Sequence, residues 1–536
     1  MKSQCLPFSQ IPHTTQLFSD FLSYSSKVQP FYPRSPRLSE WMTDEVSKLH
    51  YDSARREKVA TILERQNRTW GASAQTLANI EKLRQGAHAM VSGQQVGLFG
   101  GPLFTIFKAL TAAKMAEQAS AAGINCVPVF WLATYDHDLA EVNHVSVPDA
   151  SWALQELGTP TQGVANASVG GLTFGPEIDP VVEAARALLG DSEVTRWLKE
   201  AYSSGQTFGN AFAKLCARLF AEWGVILLDG SDPELHRAAE PIYRAAIQRS
   251  AELNDALLQR GAELEAAGYH QQVKVTPSST LLFTLRDGAR VPVHRLADGT
   301  DFEVEGTRIS RKELLEQIAA APENFSGNAL LRPVVQDYLL PTIAYAGGSS
   351  EIAYFAQAAV LYEALLKRIT PIIPRFSATI VEAKPQGLLE RYELHLPDLF
   401  QGPEKLQEQM ASGTLPKDLQ SAFDQAESTM EQTMVRVREG LARLDATLVD
   451  SATNAATKMQ YQLSQLRSRA ARAELRQTEV LGRHAELLSN ALYPNKDLQE
   501  REIAGITFVA RHGAEFLREI YNAIHTDCLD HQVLSL

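Results

Sequence analysis

The feature that most constrains the fold is a strand–loop–helix–strand pattern near residue 100. Residues 89–91 form a short apolar run, and a glycine-rich stretch, SGQQVGLFGG, follows it. Pro102 then opens a helical pattern that Gly123 closes, because proline suits the first turn of a helix and glycine ends one. A second apolar run, residues 127–133, comes a few residues later. Two strands joined by one helix predict a βαβ unit with parallel strands and a right-handed crossover.

The same alternation of strand and helix recurs twice further along the chain. It predicts an α/β fold with a Rossmann-like, doubly wound parallel sheet. The predicted elements are a helix at 208–223, a strand that ends at Asp229, a helix from Pro233 to about Leu253, a strand at 340–346, a helix at 350–367 and a strand at 369–374.

Two segments interrupt this alternation and are predicted to be connective insertions. The first is rich in Gly, Pro, Thr and Ser before it turns helical, and the second contains β-prone runs around a hairpin signal, Asp287-Gly288. We therefore predict a core at residues 1–148, 205–270 and 329–390, insertions at 149–204 and 271–328, a helical coiled-coil arm at 391–503, and a C-terminal segment, 504–536, that packs on the core.

The arm is predicted from a change of composition. Residues 418–490 contain no proline, and Leu441, Leu444 and Leu448 keep heptad-like spacing. The stretch DSATNA, which begins at Asp450, predicts a turn between two antiparallel helices, and one continuous helix is the alternative. Because an apolar seam on such an arm needs a partner, we expect a homodimer.

Charge and cysteine content narrow the class of function. The formal net charge is −12 without a long basic run, so nucleic acid is a poor candidate partner. The sequence contains no apolar run long enough for a membrane span and no secretory signal pattern, so we expect a cytoplasmic protein without membrane contact. The cysteines form no CxxC and no metal-ligand spacing, which favours buried, unpaired thiols in a reducing compartment: Cys5, Cys126, Cys216 and Cys528.

Ligands of open parallel sheets bind beyond the carboxyl ends of the strands, and the glycine-rich stretch after residues 89–91 falls at such a place. Gln94 and Gln95 supply uncharged donors and acceptors suited to a sugar or an amide. Gly100 and Gly101 precede a helix N-terminus, which favours anions, and Lys108 lies one to two turns into that helix, within reach of the site. A tight strand-to-helix turn with a solvated lysine is the alternative.

Polar and ionisable side chains crowd directly after the next strand: Asp136, His137, Asp138, Asn143 and His144. If this segment is helical, His137, Glu141 and His144 share one face. Carboxylates beside imidazoles suit general acid–base chemistry or the binding of an amine. Divalent metal ligation and a hydrogen-bonded helix cap are the alternatives, although the spacing differs from HExxH.

Two later segments have similar positions. In DYLLPTIAYAGGSSE, Gly347, Gly348 and Ser349 open a helix in an anion-friendly turn, with Arg332 shortly upstream. PRFSATIVE places Arg375 and Ser377 after the last strand, and a turn or core role is an equal alternative for both segments.

The sequence resembles the bacillithiol biosynthesis cysteine-adding enzymes, the BshC family. The resemblance rests on GQQVGLFGGPLFTIFKAL, VPVFWLATYDHDLAEVNH, GYHQQV, LLRPVVQDYLLPTIAYAGGSSEIAYFAQ, PRFSATIVE and LYPNKDLQER, which occur in the family's order and span nearly the whole chain. It implies a Rossmann-type core, two connective insertions and a C-terminal coiled coil that dimerises.

The resemblance also implies an activity, a ligase that adds cysteine to glucosaminyl malate in the last step of bacillithiol biosynthesis. The core is similar to that of class I nucleotidyltransferases, which implies ATP and a cysteinyl adenylate, although this sequence has no clear HIGH or KMSKS motif. We predict no tightly bound metal. We expect His137 to act as acid or base, Asp136 or Asp138 to hold an ammonium group, and the turns before the two helices to face phosphate or malate oxygens.

Two other classes of protein stay open at this point. A non-catalytic dimeric scaffold that binds a nucleotide or sugar would need the strand-end glycines but not the Asp/His cluster. A metal-dependent hydrolase would use Asp136, His137 and Asp138 as ligands.

Overall fold

The structure is a computed structural model that describes residues 2–160, 167–297, 299–412, 417–475 and 479–536. The strands are β1 Lys2–Leu6, β2 His88–Gln94, β3 Cys126–Leu132, β4 His144–Pro148, β5 Leu154–Gly158, β6 Ile226–Asp229, β7 Ser279–Arg286, β8 Ala289–Arg295, β9 Asp301–Val304, β10 Thr307–Ser310, β11 Phe325–Gly327, β12 Thr342–Gly347, β13 Ile372–Pro374, β14 Ala378–Val381 and β15 His531–Ser535.

The helices are α1 Gln16–Ser23, α2 Met42–Lys48, α3 Ser53–Thr69, α4 Ala74–Arg84, α5 Phe104–Ala121, α6 Leu139–Val142, α7 Ile178–Leu189, α8 Glu193–Ala201, α9 Phe208–Leu219, α10 Pro233–Gln248, α11 Ser250–Ala266, α12 Arg311–Ala320, α13 Arg332–Leu339, α14 Ser349–Leu366, α15 Ala383–Arg391, α16 Leu396–Leu399, α17 Pro403–Ser412, α18 Lys417–Leu444, α19 Leu448–Leu475, α20 Glu479–Leu492, α21 Gln499–Glu502, α22 Gly505–His512 and α23 Ala514–Ala523.

A parallel sheet with the strand order β13-β12-β2-β3-β6 forms the centre of the molecule. Helices cover both of its faces, and β3 shows why its sequence is an unbroken apolar run. Val127, Val129 and Trp131 belong to one hydrophobic core, whereas Phe130 and Leu132 belong to another. A strand buried on both faces needs apolar side chains at every position, so the run predicts a parallel-sheet strand.

The predicted βαβ unit is confirmed as β2, α5 and β3, and the Rossmann-like α/β class is confirmed with it. The predicted strands that end at Asp229 and near residues 346 and 374 are also present. One boundary is wrong, because the helix expected to run to about Leu253 is two helices. The backbone of Arg249 leaves helical geometry (φ −107°, ψ 20°), and α11 begins immediately after it.

The predicted insertions carry their own secondary structure. The antiparallel pair β4–β5 leads into the first insertion, which also contains α7 and α8, and the second forms an antiparallel sheet with the order β10-β9-β8-β7-β11. Asp287 and Gly288 both adopt positive φ (48° and 81°) between β7 and β8, as a two-residue hairpin requires. The division into a core, insertions and an arm stays a prediction.

The arm is a helical hairpin of α18 and α19, so the continuous helix is wrong. Arg467 of α19 reaches back to Asp424 of α18 at 3.0 Å. The turn lies at residues 445–447 rather than at Asp450, because the Asp445 carboxylate accepts hydrogen bonds from the backbone and hydroxyl of Thr447 at 2.9 and 2.8 Å. Asp450 instead lies in the first turn of α19.

The C-terminal segment packs on the core through backbone contacts. Gly505 N–H donates to the Gly101 carbonyl at 3.1 Å, and β15 lies between β1 and β14 in a separate sheet. The expectation that all four thiols are buried is wrong, since Cys126 and Cys216 are buried but Cys5 and Cys528 are exposed. Among the residues that the structure describes, no helix is both long enough and apolar enough to cross a membrane.

Candidate functional site

A cavity of about 590 Å³ lies between the carboxyl ends of β2 and β3 and the antiparallel strands β7 and β8. Helices α5, α10, α11, α13 and α14 complete its walls. This is the position at which open parallel sheets bind ligands, and its size is that of a small-molecule site.

A buried ion pair forms part of the cavity lining. Lys108 Nζ lies 2.6 Å from Glu351 Oε2 and donates to the Gly93 carbonyl and to Gln94 Oε1, both at 2.9 Å. Burial lowers the pKa of Lys108, which Glu351 partly offsets. Burial opposes ionisation of Glu351, but the Lys108 ammonium and the Tyr345 hydroxyl, which donates at 2.6 Å, outweigh it and lower the pKa of Glu351. Both groups are therefore charged, and the two charges compensate each other.

Arg332 adds a second buried cation to the lining. Its guanidinium donates to the Tyr354 hydroxyl at 2.7 Å and to Gln336 Oε1 at 3.2 Å, and it lies over the Tyr345 ring. Burial acts to lower the pKa of Arg332, but the surrounding tyrosines and Glu351 outweigh it, so the pKa is raised and the group stays charged. Within the described part of the chain, Arg332 forms no ion pair: its hydrogen bonds go to neutral groups, and Glu351 acts on it only through its charge at a longer distance.

Arg290 reaches the cavity from β8 of the second insertion and contacts His137. Its guanidinium donates to Ser326 Oγ at 2.9 Å, to the Gly327 carbonyl at 2.7 Å and to His137 Nδ1 at 3.3 Å. Because a guanidinium only donates, Nδ1 must be the acceptor, and the imidazole proton then lies on Nε2. Burial lowers the pKa of Arg290, which Tyr135 and the Asp136 carboxylate partly offset, although no described carboxylate lies close enough to Arg290 to form an ion pair.

Gln95 organises the acidic rim beside His137. Its amide nitrogen donates to Asp136 Oδ2 at 2.7 Å and to Glu141 Oε2 at 3.0 Å. The backbone N–H of His137 donates to Asp136 Oδ1 at 2.8 Å. Both contacts to Asp136 come from neutral donors and its side chain is one-third exposed, so its negative charge is available to a cationic ligand.

Besides Trp131 Nε1 on β3, two buried polar atoms in the lining have no hydrogen-bond partner within the described residues: Ser250 Oγ and Asn254 Oδ1. Both residues are 3% exposed and lie one turn apart on α11. The Asn254 amide nitrogen donates to the Thr276 and Ser279 carbonyls, which fixes the amide. Buried polar atoms without partners are rare and costly, so these two atoms suit a ligand that carries hydroxyl or N–H groups.

The charges of the lining do not cancel. Four cationic side chains, Lys108, Lys274, Arg290 and Arg332, face two carboxylates, Asp136 and Glu351. Counted over Lys, Arg, Asp and Glu alone, the lining carries two excess positive charges. Lys274 is exposed, but the buried cations retain their desolvation cost until an anion compensates them. The cavity therefore favours an anionic ligand.

The structure brings together six of the residues predicted from sequence as cavity-lining: Gln94, Gln95, Lys108, Asp136, His137 and Arg332. The other predicted site residues do not line the cavity: Gly100, Gly101, Asp138, Asn143, His144, Gly347, Gly348 and Ser349. The roles assigned to all of them stay predictions.

The helical face expected after Asp136 is wrong. Helix α6 spans only Leu139–Val142, so His137 precedes it and His144 opens β4 as an exposed residue. Asn143 donates to the Thr159 carbonyl at 3.3 Å, which fixes the β4–β5 hairpin. Asp138 is exposed at the start of α6 and makes no capping hydrogen bond.

The polar groups of the two glycine-rich turns form hydrogen bonds within the protein. Gly100 N–H donates to the Tyr202 hydroxyl at 3.2 Å, and Gly101 N–H donates to the Leu98 carbonyl at 2.9 Å. Gly348 N–H donates to Glu351 Oε2 at 2.7 Å, and Ser349 Oγ accepts from Arg501 at 3.3 Å. Gly347 lies within β12, where its carbonyl accepts from Arg375 N–H at 2.8 Å.

Sequence reasoning missed several lining residues: Ser250, Asn254, Arg290, Tyr345, Glu351 and Tyr354. Glu351 carried a signal, since it is a lone acid at the start of an otherwise apolar helix next to a glycine-rich turn. Arg290 and Asn254 carried none, because only tertiary packing brings their elements to the cavity. In the described ranges, no three His, Cys, Asp or Glu side chains are arranged to hold a metal ion, so the Asp136–Asp138 cluster offers no such ligand set here.

Fold and cavity together define a Rossmann-like α/β protein with a C-terminal coiled-coil domain. Residues 1–376 match the family model described as the N-terminal Rossmann-like domain of BshC of bacillithiol biosynthesis, and residues 378–536 match the model of its C-terminal coiled-coil domain. The chain belongs to the BshC family.

Relatives agree with this assignment over the full length. A protein from Koribacter versatilis (strain Ellin345) is 48% identical over 534 residues, and one from Solibacter usitatus (strain Ellin6076) is 36% identical over 537 residues, each with 100% of both chains covered. A third, from Salinibacter ruber (strain DSM 13855 / M31), is 31% identical and covers 97% of this chain and 96% of its own. All three are named "Putative cysteine ligase BshC".

Proposed function

We propose that this protein is a ligase that adds L-cysteine to glucosaminyl malate, the last step of bacillithiol biosynthesis. The names of the full-length relatives support a cysteine ligase. The observation that carries the choice of substrate is the excess of buried positive charge in the cavity, where Arg290 and Arg332 have no carboxylate partner among the described residues.

Glucosaminyl malate matches this charge because its malate part carries two carboxylates. A guanidinium binds a carboxylate through two parallel hydrogen bonds, and the ligand need not displace a carboxylate from Arg332 or Arg290, whose hydrogen-bond acceptors are neutral. The sugar hydroxyls supply the donors and acceptors that Ser250 Oγ and Asn254 Oδ1 lack.

Amide formation needs an activated carboxylate and a neutral amine. We propose that ATP activates the carboxylate of cysteine, so that the amino group of the sugar attacks it and one carboxylate oxygen leaves with the activating group. Asp136 would hold the sugar ammonium. His137 Nδ1 would take its proton once an anionic substrate draws Arg290 away from that nitrogen. His137 Nδ1 would therefore be free to act as a base only when the substrate is bound.

We also propose that the protein acts as a homodimer through the arm. Leu444, Leu466 and Tyr461 are 78%, 56% and 60% exposed on α18 and α19. A helical hairpin that leaves large apolar side chains in water is suited to pair with a second copy.

The test is thiol profiling of a deletion strain that carries either the wild-type gene or the His137→Ala variant. We expect glucosaminyl malate to accumulate and bacillithiol to be lost in the deletion strain, with rescue by the wild type alone. Rescue by His137→Ala would remove the role of that histidine, and an unchanged thiol pool in the deletion strain would remove the proposed reaction.

A further inference from the structure

Two of the four thiols are exposed near opposite ends of the chain. Cys5 lies in β1, and Cys528 lies in the turn that leads into β15. The other two, Cys126 and Cys216, are buried in the core, where burial raises their thiol pKa. Cys126 and Cys216 are therefore shielded from reagents as well as held in the thiol form, and only the exposed pair is accessible to a reagent.

The fold brings the exposed thiols together. Cys5 is the antiparallel register partner of Gln532 in the β1–β15 pair. The Gln532 amide nitrogen lies 2.9 Å from the Cys528 sulfur and 3.5 Å from the Cys5 sulfur. Burial raises the pKa of the Cys528 thiol, and Cys5 adds to the rise through its charge and a side-chain hydrogen bond. Two sulfur atoms that contact the same amide nitrogen are neighbours.

Neither thiol has a role in the cavity chemistry, because neither residue lines the cavity. In a reducing compartment such a pair does not form a permanent structural disulfide. Exposed neighbouring thiols instead meet two conditions of a reversible redox site, which are access for a reagent and a second thiol that resolves the first adduct. The raised pKa of Cys528 makes that thiol the slower nucleophile.

We propose that Cys5 and Cys528 form a thiol pair that reacts with low-molecular-weight disulfides and closes to an intramolecular disulfide between the two ends of the chain. One protein thiolate attacks the reagent disulfide RSSR, whose S–S bond breaks as a protein–S–SR bond forms. The first RS⁻ leaves and takes up the proton of the protein thiol. The second protein thiolate then attacks the protein sulfur of that mixed disulfide and releases a second RSH. Two electrons pass from the protein to the reagent, and a reducing thiol reverses both steps.

The disulfide would tie β1, an edge strand that pairs with β15, to the chain just before β15. The ends of the chain would then be joined covalently as well as by backbone hydrogen bonds. This site is independent of the proposed ligase activity, since it depends on the β1–β15 pairing and not on the cavity.

The test uses the purified full-length protein and cystine as the disulfide reagent. After incubation, free thiols are alkylated, and the digested protein is mapped by mass spectrometry. We expect one cross-linked peptide pair that joins Cys5 to Cys528, its loss on treatment with dithiothreitol, and alkylation of Cys126 and Cys216 only after denaturation. The rate should rise roughly tenfold per pH unit below the thiol pKa, because the thiolate is the nucleophile.

The Cys528→Ser variant separates the two steps. Without the resolving thiol, the cysteine adduct should stay on Cys5. In the Cys5→Ser variant, the adduct should stay on Cys528. Unchanged unfolding midpoints of both reduced variants would confirm that they fold. Adducts on both thiols of the wild type without a cross-link, disulfide-linked dimers in place of the internal bond, or no reaction on the folded protein would each overturn the proposal.

Discussion

Two buried charge clusters in this protein differ in whether their polar atoms are satisfied. In the C-terminal cluster, the Glu500 carboxylate accepts hydrogen bonds from Arg375 at 2.7 Å, from Ser377 at 2.9 Å and from the Ala378 N–H at 2.9 Å. Ser377 and Thr379 also contact the two ring nitrogens of His531, at 2.8 and 2.9 Å. In the cavity, by contrast, Arg290 and Arg332 have no ion pair within the described residues, and Ser250 Oγ has no partner there.

The difference teaches how to separate a structural network from a binding site when both are polar and buried. A closed network has its desolvation cost offset inside the protein and fixes one chain segment against another. An open cluster, such as the cavity, keeps part of its desolvation cost until a ligand binds. Substitutions there should therefore change ligand affinity more than the free energy of unfolding. The C-terminal cluster resembles a Ser–His–acid arrangement in composition, but its atoms are all engaged and buried.

The largest effect on stability is expected for Glu500→Gln. The change removes the charge that compensates Arg375, so a buried cation loses its partner. The free energy of unfolding should fall by about 3–5 kcal/mol, measured by denaturant titration. The matched control is Glu222→Gln, whose pair with Arg518 at 2.8 Å is half exposed, so its loss should change the free energy of unfolding far less. Equal losses in both variants would mean that the C-terminal cluster is not a closed network.

His137→Ala should mainly affect turnover. Removing a general base lowers the rate by about 10²–10⁴-fold, while the half-buried position of His137 predicts little change in the unfolding midpoint. The measurement is the steady-state rate of cysteine addition to glucosaminyl malate. His144→Ala is the control, because His144 is exposed and outside the cavity, and its rate should match the wild type. If both variants keep full activity, His137 is not the base.

Arg332→Met should weaken substrate binding in the cavity without lowering the stability of the fold. We expect affinity for the anionic substrate to fall by about 10²-fold, since a charged hydrogen-bond donor is lost, and stability to hold or rise as an unpaired buried cation disappears. Isothermal titration of glucosaminyl malate and thermal unfolding provide the two readouts. A fall in stability as large as that of Glu500→Gln, with binding unchanged, would make Arg332 a structural residue.

The sequence predicts the core strands well and the site only in part, for a physical reason. The residues of β2 and β3 are buried on both faces, so their apolar runs are visible without a structure. Residues at strand ends, such as Gln95 and His137, follow from the same pattern. Arg290 and Asn254 do not, because the packing of a separate sheet and of one helix face decides whether they reach the cavity.

Stability should depend on pH through His531. Burial is the main cause that lowers the pKa of His531 to about 4 in the folded protein, whereas an unfolded histidine titrates near about 6.5. The unfolded state therefore binds more protons between these values, so the free energy of unfolding falls as pH drops through the window, by up to roughly 3 kcal/mol. Denaturant titrations from pH 7 to 4 measure the slope. The His531→Gln variant should be less stable at pH 7 but lack this part of the slope, and equal slopes would show that His531 is not held neutral.

Ser250→Ala is expected to give the smallest effect and the sharpest comparison. Its hydroxyl is buried without a partner in the described residues, so its removal should leave the unfolding midpoint unchanged or raise it slightly. The loss of one hydrogen bond to substrate should raise the KM for the amino sugar about five- to tenfold. Ser92→Ala is the matched control, since Ser92 Oγ donates to the Ala346 carbonyl at 2.8 Å outside the cavity, and the loss of that bond should lower stability without changing KM. If Ser250→Ala and Ser92→Ala change the unfolding midpoint and KM in the same way, the cavity and the closed network do not differ in the way proposed.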